Sequence, residues 1–247
     1  MKIKKEFVAI IEARMASVRL PGKVLMDLGG RPALEFLIER INSLEEIDKI
    51  IVATTTENTD NILAEYVQSI GVGLYRGSDS DVLGRITEAA KNSGYDYVVK
   101  LGADCPLIDP SILAKIIEIS NVKNVDFISN TIIRSFPDGM DCGIVTLEAL
   151  IRAENEAKDL LEREHTSLYI RRHPELFSTI NLYAPKNLNW PELGLTLDTI
   201  DDLKLLNEIC LNFPKKYIFS CTDILNFLRK NPDFLKLNSQ VTRKGDS

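Results

Sequence analysis

Histidine is scarce in this chain: of 247 residues only His165 and His173 are histidines. The four cysteines, Cys105, Cys142, Cys210 and Cys221, lie far apart and form no CxxC pair. That combination argues against a Cys/His zinc site and predicts reduced thiols. Basic residues are outnumbered, 30 Lys and Arg against 36 Asp and Glu, and the net charge of −6 speaks against a nucleic-acid partner. No apolar run approaches the ~20 residues that a membrane helix needs, so no membrane partner is expected either. Met1-Lys-Ile-Lys-Lys-Glu6 is charged and leads straight into an apolar segment, with no secretory apolar region, which predicts a cytoplasmic protein. Internal repeats, low-complexity tracts and a convincing linker are missing as well. The reading is one domain over 1–237, with an insertion at about 131–194 and a polar, flexible tail over 238–247.

What is present is a strand–helix rhythm. Phe7–Ile11 is a continuous apolar run, as expected of a strand covered on both faces. Residues 31–41 place Leu34, Leu37, Ile38 and Ile41 on one helical stripe, with Pro32 suited to the first turn. Lys49–Thr54 reads as a strand and Asp60–Ile70 as a helix ended by Gly71; a short strand follows at Gly73–Tyr75. A helix from about Asp81 to Asn92, a strand at Tyr95–Leu101 and a helix at Ser111–Ser120 continue the pattern. Repeated β-α-β units predict an α/β fold with a mainly parallel, doubly wound sheet. After Asp126–Asn130 the rhythm changes. Pro137-Asp-Gly marks a turn, Leu147–Lys158 and Glu164–Arg172 read as helices, and Phe177–Tyr183 as an edge or hairpin strand. Leu195–Leu197 is a short apolar segment, and helices are expected at Ile200–Cys210 and Thr222–Arg229.

The densest chemistry lies just past the first strand. Arg14, Ser17, Arg19 and Lys23 fall within Arg14-Met-Ala-Ser-Val-Arg-Leu-Pro-Gly-Lys23. Three permanent cations on one turn repel one another unless something anionic sits among them, and a nucleoside triphosphate suits that need. Pro21-Gly22 sets a fixed φ followed by a permissive one, so the backbone can bend closely around a ligand. The carboxyl ends of strands in an open parallel sheet are where ligands bind. Two further strand ends carry Asp104 and Asp198, hard oxygen ligands suited to magnesium together with phosphate oxygens and water; Asp198 is equally placed to cap the following helix. In the loop from Gly77 to Arg85, Ser78, Ser80 and two aspartates can cap a helix, and Arg85 lies one turn in. Glu164, His165 and Arg171 share the helix expected at 164–172, a solvated face or a pocket for an acidic acceptor.

Together these segments resemble the cytidylyltransferases that make CMP-activated sugars, especially the spore-coat-polysaccharide branch related to the CMP-Kdo and acylneuraminate enzymes. The matching stretches are residues 14–23, Val52-Ala-Thr-Thr55, 76–85, Asp104-Cys-Pro-Leu-Ile-Asp109, Phe136-Pro-Asp-Gly-Met-Asp141, Glu162-Arg-Glu-His165 and Leu197-Asp-Thr199. The resemblance implies a Rossmann-like, three-layer nucleotide-diphospho-sugar transferase fold with an inserted dimerisation and acceptor segment, and a homodimer. It implies that Arg14, Ser17, Arg19 and Lys23 hold the phosphates of CTP, with Arg14, Arg19, Lys23 and Asp104 catalytic. Ser78 and Arg85 would contact cytidine, Asp104 and Asp198 would hold Mg2+, and Asp138, Asp141, Glu164, His165 and Arg171 would meet the acceptor. The implied reaction moves CMP from CTP to a small acidic sugar of the Kdo or nonulosonate type, releasing pyrophosphate, for surface polysaccharide or glycan synthesis.

The chain departs from the family pattern at three places. Glu12 stands where Gln is common, Ala103 where Gly is usual, and Cys142-Gly143 where Val-Glu is typical. Two competing readings remain open at this point. One is a nucleotide-sugar-dependent glycosyltransferase with Asp79-Ser-Asp81 as its metal motif. The other is a nucleotide-binding protein without turnover.

Overall fold

β1 (Phe7–Glu12) sets the architecture. Its residues from Phe7 to Ile11 are all buried, and alternate ones enter two different cores: Phe7, Ala9 and Ile11 on one side, Val8 and Ile10 on the other. A strand covered on both faces requires a helical layer on each side of its sheet. The computed structural model, which describes residues 5–213 and 218–243, contains both layers.

From β1 the chain passes through a one-turn 3-10 helix (Lys23–Leu25) and a short hairpin, β2 (Asp27–Leu28) and β3 (Arg31–Pro32), into α1 (Ala33–Asn42). The expected alternation continues with β4 (Ile47–Thr55), α2 (Asn61–Ser69), β5 (Gly73–Gly77), α3 (Val82–Ser93), β6 (Tyr97–Gly102) and α4 (Pro110–Val122). Then come β7 (Phe127–Ser129), β8 (Gly143–Thr146), α5 (Leu147–Glu156), α6 (Leu160–Glu164) and α7 (Leu168–Arg172). β9 (Thr179–Asn181), α8 (Ile200–Asn212) and α9 (Cys221–Lys230) complete the order. Seven strands form one sheet in the order β5-β4-β1-β6-β8-β7-β9. β5, β4, β1 and β6 run parallel, as do β7 and β9, whereas β8 is antiparallel to both of its neighbours. Residues of α1, α2, α4, α8 and α9 cover one face, and those of α3, α5 and α7 the other. The result is a three-layer α/β fold with a mostly parallel sheet.

Three local expectations need correction. Arg31 and Pro32 belong to the hairpin, pairing with Leu28 and Asp27, and Pro32 is the extended N-cap of α1 with ψ 139° rather than a residue of its first turn. The single helix expected over Glu164–Arg172 is two short ones. α6 stops at His165, and α7 starts after Ser167, because the hydroxyl and β-branched residues Thr166 and Ser167 compete with helical hydrogen bonding. Leu195–Leu197 is buried but forms no strand; the Leu197 N–H donates instead to the Asp104 carbonyl at 2.7 Å.

Of the expected tail, residues 238–243 are described. The buried Asn238 donates to Asp202 at 2.9 Å, and Arg243 meets the same carboxylate at 2.7 Å. Residues 244–247 lie outside the described residues, as do 1–4 and 214–217. All four cysteines are buried free thiols, and no described helix is long and apolar enough to cross a membrane.

One buried cation fastens the layers around the loop after β6. Arg40 of α1 is fully buried and donates to the carbonyls of Ile108 and Phe219, each at 2.7 Å, and of Leu107 at 3.3 Å. Burial pulls its pKa down to about 10, so it stays charged. Asp109 completes the clasp: it caps α4 through the Ser111 N–H at 2.8 Å and accepts the Cys221 N–H of α9 at 2.6 Å. Arg40→Met keeps the bulk but strands three buried carbonyls, so urea denaturation should show a stability loss of about 3 kcal/mol.

Candidate active site

The loop after β1 is anchored before it turns. The Met15 carbonyl accepts the N–H groups of Ser17 at 2.9 Å and Gly22 at 2.8 Å, closing the loop on itself. Gly22 has φ 74°, the left-handed conformation that Pro21-Gly22 prepares. The Met15 N–H donates to Asp60 at 2.7 Å. Asp60 is buried and accepts further hydrogen bonds from the Thr54 and Thr55 hydroxyls and the Thr55 N–H at the end of β4. The root of the loop is thereby tied to the carboxyl edge of the sheet.

From that root the three cations reach three other loops. Arg14 pairs with Asp79 at 2.9 Å in the connection from β5 to α3. Arg19 pairs with Asp198 at 2.9 Å and donates to the Thr242 carbonyl at 3.2 Å. Lys23 lies 2.8 Å from Asp198 and 3.6 Å from Asp104. Ser17 is half-buried, and its hydroxyl accepts the Leu20 N–H at 3.4 Å. Burial alone would lower the Lys23 pKa, but Asp104 and Asp198 outweigh it and hold the ammonium above its usual value. The converse applies to Asp198: burial pushes it up, yet Lys23 and Arg19 keep its carboxyl below the usual range.

Asp104 and Asp198 come from separate loops and converge on one cation. Asp198 is fixed by α8, whose Thr199–Asp202 capping box also takes the Asp198 N–H onto Asp202 at 3.2 Å. Among the described residues no group of three or more His, Cys, Asp or Glu could hold a metal. Two carboxylates around a single positive charge, with space for phosphate oxygens and water, fit the donor set of magnesium.

Arg85 of α3 is fully buried and donates to the Ser78 carbonyl, while the Ser78 hydroxyl accepts the Asp81 N–H at 3.1 Å. Its Nε and Nη2 are buried without a partner among the described residues. Burial lowers the Arg85 pKa, and Glu12 is the leading charge that opposes this. Asp79 and Asp81 do not form a metal pair: Asp79 is on Arg14, and Asp81 caps α3 at the Gly84 N–H and meets Arg163.

Beside Asp104 a cavity of about 140 Å³ opens between β6, β8 and the α6–α7 break, lined among others by Lys100, Arg134, Asp141, His165 and Arg171. Arg134 pairs with Asp141 at 2.9 Å and with Asp138 at 3.3 Å. Asp141, His165 and Arg171 therefore share the cavity with Asp104. Asp138 stands behind Arg134, and Glu164 is exposed at the end of α6, away from the lining. The break at His165 removes the helical face that Glu164 and Arg171 were expected to share. Sequence reasoning passes over Lys100 and Arg134. A lysine interrupting Tyr97-Val-Val-Lys-Leu was the available signal for the first; for Arg134 it was only proximity to the Pro137-Asp-Gly turn.

Burial raises the Asp141 pKa to about 6, with Asp138 and Asp104 pushing the same way against Arg134. Because its folded pKa lies above its unfolded one, Asp141 contributes stability that is gained as pH falls through about 6 and lost as pH rises. Carbon-13 carboxyl NMR should find Asp141 titrating near this value, and Arg134→Gln should move it higher. A value that stays put in the variant contradicts the pairing.

Comparison with known proteins agrees with this geometry. The sequence profile of the cytidylyltransferase family matches residues 8–216. The spore coat polysaccharide biosynthesis protein SpsF of Bacillus subtilis is 31% identical over 229 residues, 91% of this chain and 94% of its own length. A 3-deoxy-manno-octulosonate cytidylyltransferase of Aeromonas salmonicida is 35% identical over 116 residues, 44% of each chain. The solved structure of a cytidylyltransferase from Leptospira borgpetersenii superposes with a TM-score of 0.86 at 31% identity, covering 98% of this chain and all of the other. The chain belongs to the cytidylyltransferase family and is a CTP-dependent nucleotidyltransferase.

Proposed function

We propose that the enzyme transfers CMP from CTP to a small acidic sugar, a 2-keto-3-deoxy sugar acid of the Kdo or nonulosonate class, for surface polysaccharide or glycan synthesis. The observation that carries this reading is the convergence of Arg19, Lys23, Asp104 and Asp198 beside a cavity that also holds Lys100, Arg134 and Arg171. Arg14, Ser17, Arg19 and Lys23 hold the phosphates. Ser78 and Arg85 hold cytidine, whose base and ribose offer acceptors to the unpartnered Arg85 nitrogens. Mg2+ held by Asp104 and Asp198 would neutralise phosphate charge and lower the pKa of the acceptor hydroxyl.

The acceptor oxygen attacks the α-phosphorus, and a new O–P bond forms. The bond from that phosphorus to the β-phosphate oxygen breaks, and pyrophosphate leaves with the electron pair. The hydroxyl proton passes to water. Arg14, Arg19 and Lys23 meet the charge that grows on the departing oxygens, so catalysis is positioning and charge neutralisation rather than covalent chemistry. Asp141, His165 and Arg171 line the acceptor side, with Asp138 behind Arg134. Glu164 is left out of the acceptor set because it lies outside the cavity's lining. We place the enzyme in the cytoplasm as a homodimer formed through residues 131–194, where the exposed Ile133 and Tyr183 lie close to β9 in space and sequence.

Pyrophosphate release from CTP, measured over a panel of eight- and nine-carbon 2-keto sugar acids, tests the reading. Arg19→Ala and Asp104→Asn should each slow the reaction by about 10²–10³, the usual effect of removing one transition-state contact. Full rates in both variants, with the acceptor that works best, would overturn the assigned roles. Release of a nucleoside diphosphate from a nucleotide sugar would instead favour glycosyl transfer.

A further inference from the structure

Lys100 is unused by the chemistry above, yet its position is unusual. Along β6, Val98 enters the core beneath α3 and α5, while Val99 and Leu101 enter the opposite core. Side chains alternate along a strand, so Lys100 shares a face with Val98 and points into an apolar layer. Its direct neighbours across the sheet are Ile10 on β1 and Gly143 on β8, and Ser129 of β7 faces Gly143 in turn. Ile10 fills its place with a branched aliphatic chain. Gly143 brings no side chain, Phe127 and Ser129 close over its own place, and the α6–α7 break roofs the cavity beside Lys100 with His165, Ser167 and Arg171.

An ammonium group turned into such a layer is unfavourable unless an anion meets it. Among the described residues the Lys100 side chain has no ion pair and no hydrogen-bond partner, and the carboxylates of the cavity are engaged elsewhere. Asp141 is on Arg134, and Asp104 faces Lys23. We propose that Lys100, with Arg171 lining the same cavity, seats the carboxylate-class anion of the acceptor. The identity of the anion rests on the acidic-acceptor reading; the existence of the seat does not. Lys100 lies two residues before Gly102, a rise of ~7 Å along the strand, so an anion held there leaves about the width of a sugar ring before Asp104. Lys100 is thus a specificity-determining residue: it selects acceptors that carry a negative group at that distance from the attacking hydroxyl.

The test has two arms on the full-length protein. In the first, inorganic phosphate and acetate are titrated into nitrogen-15-labelled protein, and the amide signals of Gly102, Gly143 and His165 are followed. They should shift saturably; Lys100→Met and Lys100→Gln should weaken the apparent affinity by about tenfold or more, while Lys100→Arg stays close to wild type. CTP affinity, measured by calorimetry, should be the same in all four proteins. In the second arm, Lys100→Met should raise the KM for the best 2-keto sugar acid by a similar factor with little change in kcat. No anion-induced shifts in the wild type, equal anion affinity in the neutral variants, or a parallel loss of CTP binding would overturn the proposal. If the anions bind as expected and no acidic sugar is turned over, the seat stands and the acceptor reading fails.

Discussion

The ion pair of Lys23 with Asp198, extended by Asp104 and Arg19, is the point on which the site's geometry depends. Three loops from different parts of the chain meet there, and each brings a charge that would be costly to leave alone. The loop after β1 brings two cations, the loop after β6 brings Asp104, and the start of α8 brings Asp198. Opposite charges at this spacing in a partly buried place hold the loops in register. On the proposed reading, the same groups would find new partners of both signs once CTP arrives. The cations would turn to phosphate oxygens, and the carboxylates would become free for a divalent ion.

That exchange requires loops that stay in place when the pairs part. Buried polar groups behind the site serve this purpose. Asp60 collects hydrogen bonds from β4 and the β1 loop, Arg40 ties the loop after β6 to α1 and α9, and Asp202 joins α8 to the Asp198 backbone, Asn238 and Arg243. Each is fully satisfied or nearly so, which is the condition for a buried polar network to rigidify rather than weaken a fold. The cations at the front are only partly exposed, and the enclosed clasps behind them hold their loops in place.

Much of this was legible in the sequence. The apolar run Phe7–Ile11 announces a doubly covered strand, and the ten residues from Arg14 to Lys23 announce a cluster of cations at the sheet's carboxyl edge, which the structure shows paired with Asp79, Asp104 and Asp198. The rest was hidden for identifiable reasons. Arg40 looks like any helix-surface arginine, since its three carbonyl partners are 67 to 179 residues away. Lys100 sits in a run that pattern alone assigns to the core. Its meaning depends on the cavity that β6 shares with the antiparallel β8 and the α6–α7 break, which no local signal predicts. The break between α6 and α7 turns on Thr166 and Ser167, whose competition with helical bonds is weak enough to be overridden elsewhere. Local propensity described the elements, and tertiary pairing decided which side chains line the cavity.

A crystal structure of the protein with CTP and Mg2+ tests the central claim most directly. The account predicts the triphosphate among Arg14, Ser17, Arg19 and Lys23, with the Lys23 ammonium moved from Asp198 onto phosphate and the ion bound by Asp104 and Asp198. Nucleotide bound while the Lys23–Asp198 pair remains closed, or an ion held by other residues, would contradict it.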